Sequence, residues 1–299
     1  MFISQKGNKQ LPIAATKVKK VTKALMLDPK SDQAQIVAQL TTRDSLSAHM
    51  RQVTLAEFGT VQEYKNQPGI WPLFHAAEYI KHKDTTEITK VALFAPLGED
   101  TFSNIAGSLA FEEFVHVTYT LLEGLKTIHA SGAVHADIKG ANALVTTNND
   151  GPANAGWIDF GLSGKITDER LIAHFKLGFY GTLKFTAPEL FGVRGFCADH
   201  AKTDMWAFGL MLYRAYFQKD PSWFALKLIP EKREGIDYQK KEAYKNAIQA
   251  EIEPALNELF KKESKTRVDQ FEMLIYKLLL PDPKKRLSAQ EALRELGAL

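Results

Sequence analysis

The chain has 299 residues, of which 45% are hydrophobic and 24% are charged, a balance that is ordinary for a soluble globular protein. Thirty-eight lysines and arginines against 35 acidic residues give a net charge of +3, which excludes a nucleic-acid binder that acts through its overall charge. The sequence contains no run of about 18 apolar residues, so it predicts no membrane span.

The cysteine content and the N-terminus bear on location. The single cysteine, Cys197, excludes an internal disulfide and suits a reducing compartment. The first ten residues, MFISQKGNKQ, lack the apolar run of a secretion signal. We therefore expect a cytoplasmic protein, or one that acts in the cytoplasm of a host cell if its source is a virus or a secreting bacterium.

The first third of the chain reads mainly as strands. The runs VTKALML (21–27) and AQIVAQL (34–40) flank the turn sequence DPKSDQ and predict a β-hairpin. Residues 46–65 place Phe58, Val61 and Tyr64 at helical spacing. The segment KVALFAPLG (90–98) predicts a strand that ends at a Pro/Gly break.

The remainder reads mainly as helices, so the change near residues 95–98 predicts two lobes, residues 1–95 and 96–299. One face of a long helix is marked by Phe111, Phe114, Thr118, Leu121, Leu125 and Ile128. Residues 225–266 predict an amphipathic helix interrupted near Pro254, with apolar positions Tyr244, Ile248, Ile252, Leu256 and Leu259. This helix either packs on its own lobe or docks a protein partner, and Trp223 and Phe224 suit either role.

The octapeptide HADIKGAN (135–142) has the residues that phosphoryl transfer needs. That chemistry requires a group that orients the attacking hydroxyl, Mg²⁺ on the phosphates, and positive charge near the γ-phosphoryl group. Asp137 is a candidate base, Asn142 a candidate Mg²⁺ ligand, and Lys139 a candidate for neutralising the transferred phosphate. Seventeen residues after Asn142, Asp159 ends an apolar strand in WIDFGLS and offers a carboxylate to the same metal. Residues 143–145 predict a short strand in which Leu144 lies under a flat ligand.

Three further segments follow in order: GTLKFTAPE (181–189), DMWAFG (204–209) and DPKKRLSAQEAL (282–293). Together with the HADIKGAN and Asp-Phe-Gly segments, they resemble the eukaryotic-type protein kinases. The resemblance implies an α+β fold with a small β-rich N-lobe and a larger helical C-lobe, and ATP and Mg²⁺ as cofactors. It also implies that Glu189 pairs with Arg286 and that Asp204 holds the backbone of the catalytic loop.

The resemblance extends to the class of substrate. Small-molecule kinases of the aminoglycoside type share a His-x-Asp loop but lack the Ala-Pro-Glu and closing Arg segments, which favours a protein substrate. Lys139 is typical of serine/threonine kinases, and so is Thr182, which can bond the base. The KFTAPE segment has some likeness to tyrosine kinases and leaves dual specificity open.

The chain departs from the family pattern at Ala136, where many members carry an arginine. That arginine binds a phosphate on the activation segment and orders the segment. With Ala136 this clamp is missing, so we expect activity that needs no phosphorylation of Ser163, Thr167 or Tyr180.

Two more departures concern the nucleotide phosphates. Gly7 is the only glycine before Gly59, so no glycine-rich loop can form, and IVAQ places Gln39 where the family has a lysine. Lys23, on the neighbouring strand, is the candidate replacement, a solution similar to that of the with-no-lysine kinases, and Glu57 is its candidate partner. If the pairing register of the two strands differs, Lys19 or Lys20 takes the role of Lys23. Glu63 is a weaker alternative to Glu57. In the simplest alternative, all these lysines are surface charge.

Two interpretations therefore stand. In the first, the protein is an active serine/threonine kinase with an unusual N-lobe, as the combination of Asp137, Lys139, Asn142 and Asp159 favours. In the second, it is a pseudokinase that acts as a protein-binding scaffold, as Gln39 and the missing glycines favour.

Overall fold

The structure is a computed structural model that describes residues 24–26, 36–44, 59–64, 66–72, 75–83, 86–96, 98–148, 151–167, 181–190, 199–226 and 238–298. The strands in these ranges are β1 Ala24–Met26, β2 Ile36–Asp44, β3 Gly69–Ile70, β4 His75–Lys83, β5 Thr86–Pro96, β6 Asp100–Thr101, β7 Ala133–Val134, β8 Ala143–Asn148, β9 Gly151–Trp157 and β10 Gly164–Lys165. The α-helices are α1 Phe102–Ile105, α2 Phe111–Ala130, α3 His200–Phe217, α4 Tyr238–Lys261, α5 Arg267–Leu278 and α6 Ala289–Leu296. Residues 59–63 are also helical.

The N-terminal strands form an antiparallel sheet in the order β1-β2-β5-β4. β1 pairs with β2, with Ala24 opposite Ala38, which confirms the predicted hairpin. β5 contains the predicted strand and ends at Pro96, as expected from its Pro/Gly break. Within the helical residues 59–63, Val61 is buried, and so is Tyr64 directly after them, as their helical spacing predicts. Phe58, the third residue of that pattern, lies outside the described residues.

The long helix α2 packs against β7 and β9, the strands next to the candidate site. Its first turn carries Glu112 and Glu113, whose negative charges interact favourably with the positive end of the helix dipole. The Glu113 side chain also accepts a hydrogen bond from the Ala110 N–H at 3.0 Å. The predicted apolar face is confirmed, with Phe111 partly buried and five members fully buried: Phe114, Thr118, Leu121, Leu125 and Ile128. Strands β8 and β9 pair with each other, and β9 packs against α2. β8 begins directly after Asn142, and β9 ends two residues before Asp159.

Helix α3 lies at the centre of the helical part. Residues 203–213 are buried on every side of the helix, which is typical of a helix surrounded by its own domain. Asp199 caps the start of the helix, since its side chain accepts a hydrogen bond from the Lys202 N–H, and Gln218 follows the last helical residue in the left-handed conformation.

The break expected in the helix near Pro254 is wrong, because α4 continues from Tyr238 to Lys261 with Pro254 inside it. Proline removes one helical hydrogen bond. Pro254 and Ala250, whose carbonyl loses that bond, are both exposed, so water can satisfy the carbonyl. The predicted apolar stripe is buried and holds the helix together across this point: Tyr244, Ile248, Ile252, Leu256 and Leu259.

A strand-rich N-terminal part and a mainly helical remainder agree with the predicted α+β fold. The division into lobes at residues 95 and 96 stays a prediction. Among the helices in the described ranges, none has the length and apolar character needed to cross a bilayer.

Candidate active site

The loop 135–142 follows β7 and is held from below by Asp204 of α3. The Asp204 carboxylate accepts hydrogen bonds from the backbone N–H groups of His135, at 2.8 Å, and Ala136, at 3.0 Å. The Nε2 atom of His129 lies 2.9 Å from the same carboxylate. Since Asp204 is only 2% exposed, these bonds fix the loop in a dry environment, and the structural role predicted for Asp204 is confirmed.

The His135 side chain is buried and connects the loop to the segment that carries Asp159. Its Nε2 lies 3.2 Å from the Ile158 carbonyl oxygen, and its Nδ1 accepts the Asp137 N–H at 3.4 Å, so the network assigns the proton to Nε2. Burial lowers the pKa of the imidazole, although nearby carboxylates oppose this, so the ring is neutral at pH 7. The ring lies 4.8 Å from the ring of Phe160, centroid to centroid, which ties the loop to the residue after Asp159.

The Asp137 carboxylate is the centre of a compact polar network. Its Oδ2 accepts hydrogen bonds from Lys139 Nζ at 2.6 Å and Asn142 Nδ2 at 2.8 Å. Its Oδ1 accepts the Thr182 hydroxyl at 2.9 Å, and Lys139 Nζ also donates to that hydroxyl oxygen at 2.8 Å. The predicted bond between Thr182 and Asp137 is therefore present.

This network sets the charge of Asp137. Burial by itself would raise the pKa of the carboxyl, but the hydrogen bonds from Lys139, Thr182 and Asn142 and the charge of Lys139 lower it below its usual value. Asp137 is consequently an ionised carboxylate at neutral pH, with an oriented lone pair instead of a stored proton.

Asn142 and Asp159 have a donor set that fits a divalent cation. Because the amide nitrogen of Asn142 donates to Asp137, the oxygen Oδ1 is the atom of that side chain suited to a metal. Asp159 is partly buried and adopts the left-handed conformation with φ 66°, a strain typical of functional positions. In the described ranges no group of three or more His, Cys, Asp or Glu side chains could hold a metal alone. One carboxylate and one amide oxygen suit Mg²⁺ that nucleotide phosphates complete.

The predicted pair between Glu189 and Arg286 is confirmed. Arg286 is 1% exposed and binds the carboxylate with both terminal nitrogens, at 2.7 and 2.9 Å. It also donates to the Lys202 carbonyl at 2.6 Å and the Leu280 carbonyl at 3.0 Å. The pair therefore joins the end of the 181–190 segment to the C-terminal helices.

A family model for the protein kinase domain matches residues 23–296. The chain belongs to the protein kinase family. The MAP3K epsilon protein kinase 1 of Arabidopsis thaliana is 27% identical over 231 residues, which cover 74% of this chain and 14% of that protein. The serine/threonine-protein kinase US3 homolog of Gallid herpesvirus 2 is 34% identical over 113 residues, which cover 38% of this chain and 26% of that protein.

The fold is shared as well. The solved structure of the yeast RNA Pol II CTD kinase CTDK-1 complex contains a chain that superposes with a TM-score of 0.58 at 17% identity, covering 97% of this chain and 95% of that chain. The predicted two-lobed kinase fold and the resemblance to serine/threonine protein kinases are confirmed. The matched region spans 14% to 26% of the two curated relatives. A protein kinase domain takes ATP as its substrate, usually with a divalent metal.

Several residues predicted for the nucleotide site lie wholly or partly outside the described residues. Lys23 and Glu57 lie outside them, as do Lys19 and Lys20, and Gln39 is described only by its place in β2 opposite Phe94. Glu63 is exposed on the helical segment. Leu144 is fully buried in β8, its side chain lies next to Gly98, and its contact with a ligand stays a prediction.

In this kinase domain, the surroundings of Ala136, the residue that departs from the family pattern, are apolar. Ala136 is buried beside Val134, with Leu162 and Ala201 packed on the pair. Ala136 has φ 67°, a conformation that costs about 1–2 kcal/mol for a residue with a Cβ atom. The two Asp204 hydrogen bonds to the loop offset this cost.

Both described ends of the activation segment, residues 159–189, make contacts to the catalytic loop (residues 135–142) or to β7 before it that involve no phosphate. After Asp159, β10 pairs with β7, and the Ser163 hydroxyl donates to the His135 carbonyl at 2.9 Å. At the other end, Gly181 has φ 77°, and a Cβ atom there would lie 2.5 Å from the Ala136 carbonyl oxygen. Only glycine allows this approach, which brings Thr182 to Asp137.

Treatment with a phosphatase is therefore expected to leave the rate of phosphoryl transfer unchanged. In the described part of the segment, residues 159–167 and 181–189, the contacts to the loop include a strand pair, a hydroxyl bond and apolar packing, and none of these three uses a phosphate. The rate should be measured before and after complete dephosphorylation, confirmed by mass spectrometry, with heat-inactivated phosphatase as the control. Loss of activity that returns on phosphorylation of Ser163, Thr167 or Tyr180 would show that a phosphate is required.

The sequence did not predict the attachment of residues 59–72 to α2. The Tyr64 hydroxyl lies 2.8 Å from Ser131 Oγ, and β3 runs parallel to β9. Gly69, with φ 71°, lies so close to α2 that a Cβ atom would be 2.1 Å from the Thr120 carbonyl oxygen. The available signal was the pair of glycines, Gly69 directly after Pro68 and Gly124 inside a helix, because glycine at such positions indicates close backbone approach.

Proposed function

We propose that this chain is an active serine/threonine protein kinase that transfers the γ-phosphate of ATP to hydroxyl groups of a protein substrate. The observation that carries the proposal is the Asp137 carboxylate, held by Lys139, Asn142 and Thr182 at 2.6 to 2.9 Å. Binding to a partner gives no reason to hold a buried, ionised carboxylate against the ammonium group of Lys139, whereas phosphoryl transfer requires both groups.

The proposed mechanism uses this network directly. The substrate hydroxyl donates its hydrogen bond to Asp137, which aims the oxygen lone pair at the γ-phosphorus. The oxygen–phosphorus bond forms as the bond between the γ-phosphorus and the bridging oxygen of ADP breaks. Because the pKa of Asp137 is low, the carboxylate takes the hydroxyl proton late, when the oxygen has become acidic. Lys139, 2.6 Å from Asp137, balances the negative charge of the transferred group.

We propose Asn142 and Asp159 as the ligands that hold Mg²⁺ with the nucleotide. When bound, the ion supplies positive charge to the phosphate oxygens and helps to align them. The residues do the positioning: Asn142 is fixed by its donation to Asp137, and Asp159 by the buried Phe160 that follows it.

Asp159→Ala is expected to abolish the rise in melting temperature that ATP and Mg²⁺ cause in the wild type. At a nucleotide concentration of about 100 times Kd, binding adds about 2.7 kcal/mol to the stability of the folded state, which is readily measured. Thermal melts with and without MgATP check this, and EDTA should remove the wild-type shift as a control. An unchanged shift in the variant would mean that Asp159 does not hold the metal.

For the α- and β-phosphates, we propose Lys23 as the cation and Glu57 as its ion-pair partner. The uncharged Gln39 cannot balance phosphate charge, and Lys23 directly precedes β1, the strand that pairs with β2 next to Gln39. Lys23→Met and Glu57→Gln should therefore lower the transfer rate similarly, and far more than the control variants Lys9→Met and Lys30→Met. The rates of the four variants should be compared at saturating MgATP. Equal, small effects would assign the cation elsewhere.

The alternative is a pseudokinase that displays a binding surface. Gln39 and the absence of a glycine-rich sequence before residue 59 favour it, because both remove contacts to the phosphates. Incubation with labelled ATP and a cell lysate, followed by mapping of the labelled residues, separates the two. Label on serine and threonine supports the kinase, label that includes tyrosine indicates dual specificity, and no label indicates the pseudokinase.

Two wider expectations stay proposals. Docking of a protein partner through residues 225–266 would use the exposed side of α4, because its apolar stripe is buried within the chain, and Trp223 is likewise buried against Trp206 and Tyr213. The cytoplasmic location rests on the single cysteine, Cys197.

A further inference from the structure

A groove of about 450 Å³ lies beside the catalytic loop, between α1 and the end of α3. Gly140, two residues before Asn142, forms one wall, with Ser103 of α1 packed directly against it. Phe185 forms another wall and also lines the small pocket that contains Asp137 and Thr182. The groove and the pocket of the Asp137 carboxylate are therefore neighbours that share the Phe185 side chain, so residues that flank a hydroxyl group placed at Asp137 can reach the groove.

Among the described residues, the charged groups that line this groove are two cations and one carboxylate: Arg214, Lys219 and Asp220. The Arg214 guanidinium carbon lies 5.7 Å from the centre of the Phe185 ring, and Arg214 Nε donates to Asp220 Oδ1 at 2.6 Å. A ring face and a carboxylate together hold the guanidinium plane in place. The lining of the groove is thus net positive, with a pre-oriented arginine.

We infer that Arg214 selects protein substrates that carry an aspartate or glutamate within a few residues of the phosphorylated serine or threonine. This inference rests on the proposed kinase function. A guanidinium group has five N–H donors and binds carboxylates in a planar, two-point geometry, so one bond to Asp220 does not saturate it. The exposed fractions of the Arg214 and Asp220 side chains are 36% and 48%. Ion pairs that are this exposed are weak, so a substrate carboxylate can bind Arg214 beside Asp220 or in its place.

Lys219 strengthens the same preference. It is exposed, lines the groove next to Asp220, and its Nζ lies 5.8 Å from the centre of the Phe217 ring. A basic substrate side chain placed in this groove would meet both cations, whereas an acidic one meets complementary charge.

The test is phosphorylation of synthetic peptides with a central serine or threonine, in which one flanking position at a time is glutamate, alanine or arginine. For wild type, at the flanking position that lies in the groove, the peptide with glutamate should have a kcat/KM on the order of tenfold higher than the peptide with arginine, mainly through a lower KM. Arg214→Gln should remove most of this preference, and Arg214→Glu should reverse it. Arg267→Glu, on the exposed surface of α5, should leave the preference as in wild type.

The outcomes separate the inference from the function on which it rests. No phosphorylation of any peptide or protein by wild type would overturn both. Phosphorylation without a preference for acidic positions, or with a preference that Arg214→Gln retains in full, would overturn the inference alone. Since Arg214 is partly exposed, melting of both Arg214 variants near the wild-type temperature would confirm that the change reflects recognition and not folding.

Discussion

Asp137→Asn is expected to lower the rate of γ-phosphate transfer on the order of 10²–10⁴-fold, the usual contribution of general-base catalysis. Asparagine keeps the size of the side chain and one oxygen, but it cannot take the hydroxyl proton. It also removes the anion that Lys139 Nζ contacts at 2.6 Å, so the ammonium group loses its fixed position. ATP affinity should be nearly unchanged, because the residues proposed to contact the nucleotide are retained.

Asp282→Asn is a matched control for this change. Asp282 is exposed, and its Oδ1 accepts the Lys284 N–H at 2.9 Å, a bond that the asparagine oxygen can also make. The same chemical substitution there should leave the transfer rate as in wild type. If Asp137→Asn transfers phosphate at the wild-type rate, the carboxylate is not the base.

Arg286→Ala is expected to destabilise the domain by about 3–5 kcal/mol, the usual effect of removing one partner of a buried ion pair. The change leaves the Glu189 carboxylate, whose side chain is 12% exposed, without its cation, and it removes the donors to the Lys202 and Leu280 carbonyls. It also opens a cavity beside Trp206, whose ring centre lies 5.1 Å from the guanidinium carbon. Such a loss is a large share of the stability of a typical domain, about 5–15 kcal/mol.

The chain contains a second pair of the same chemistry that serves as the control. Arg267 binds both oxygens of Glu112, at 2.6 and 3.0 Å, but the two side chains are 47% and 67% exposed. Arg267→Ala should therefore cost at most about 1 kcal/mol. Urea unfolding followed by tryptophan fluorescence measures both variants, since Trp206 lies against Arg286. Equal losses in the two variants would show that burial does not set the strength of these pairs.

The parts of the site that lie in short, contiguous segments could be predicted from the sequence. The spacing of Asp137, Lys139 and Asn142 places them in one loop, and the structure joins the three side chains. The links from Asp204 to that loop and from Glu189 to Arg286 could be predicted only through the family resemblance, because nothing local connects residues 97 positions apart.

The features that escaped prediction depend on contacts between distant segments. The bond between Tyr64 and Ser131 and the close approach of Gly69 to α2 leave no periodic pattern in either segment. Pro254 shows the opposite failure: its local preference predicted a break, but burial of Ile252 and Leu256 on either side outweighs one lost hydrogen bond. Packing between distant segments determines the structure at these positions, and local sequence patterns do not predict it.

The most direct test of the kinase proposal is the initial rate of γ-phosphate transfer to a mixture of serine and threonine peptides. The rate should be measured side by side for wild type and Asp137→Asn at saturating ATP and Mg²⁺, with nucleotide binding measured on the same samples. We predict transfer by wild type, a steep loss in the variant, and equal nucleotide binding in both. Tight MgATP binding by wild type with no transfer to any peptide would contradict the proposal and identify the chain as a pseudokinase.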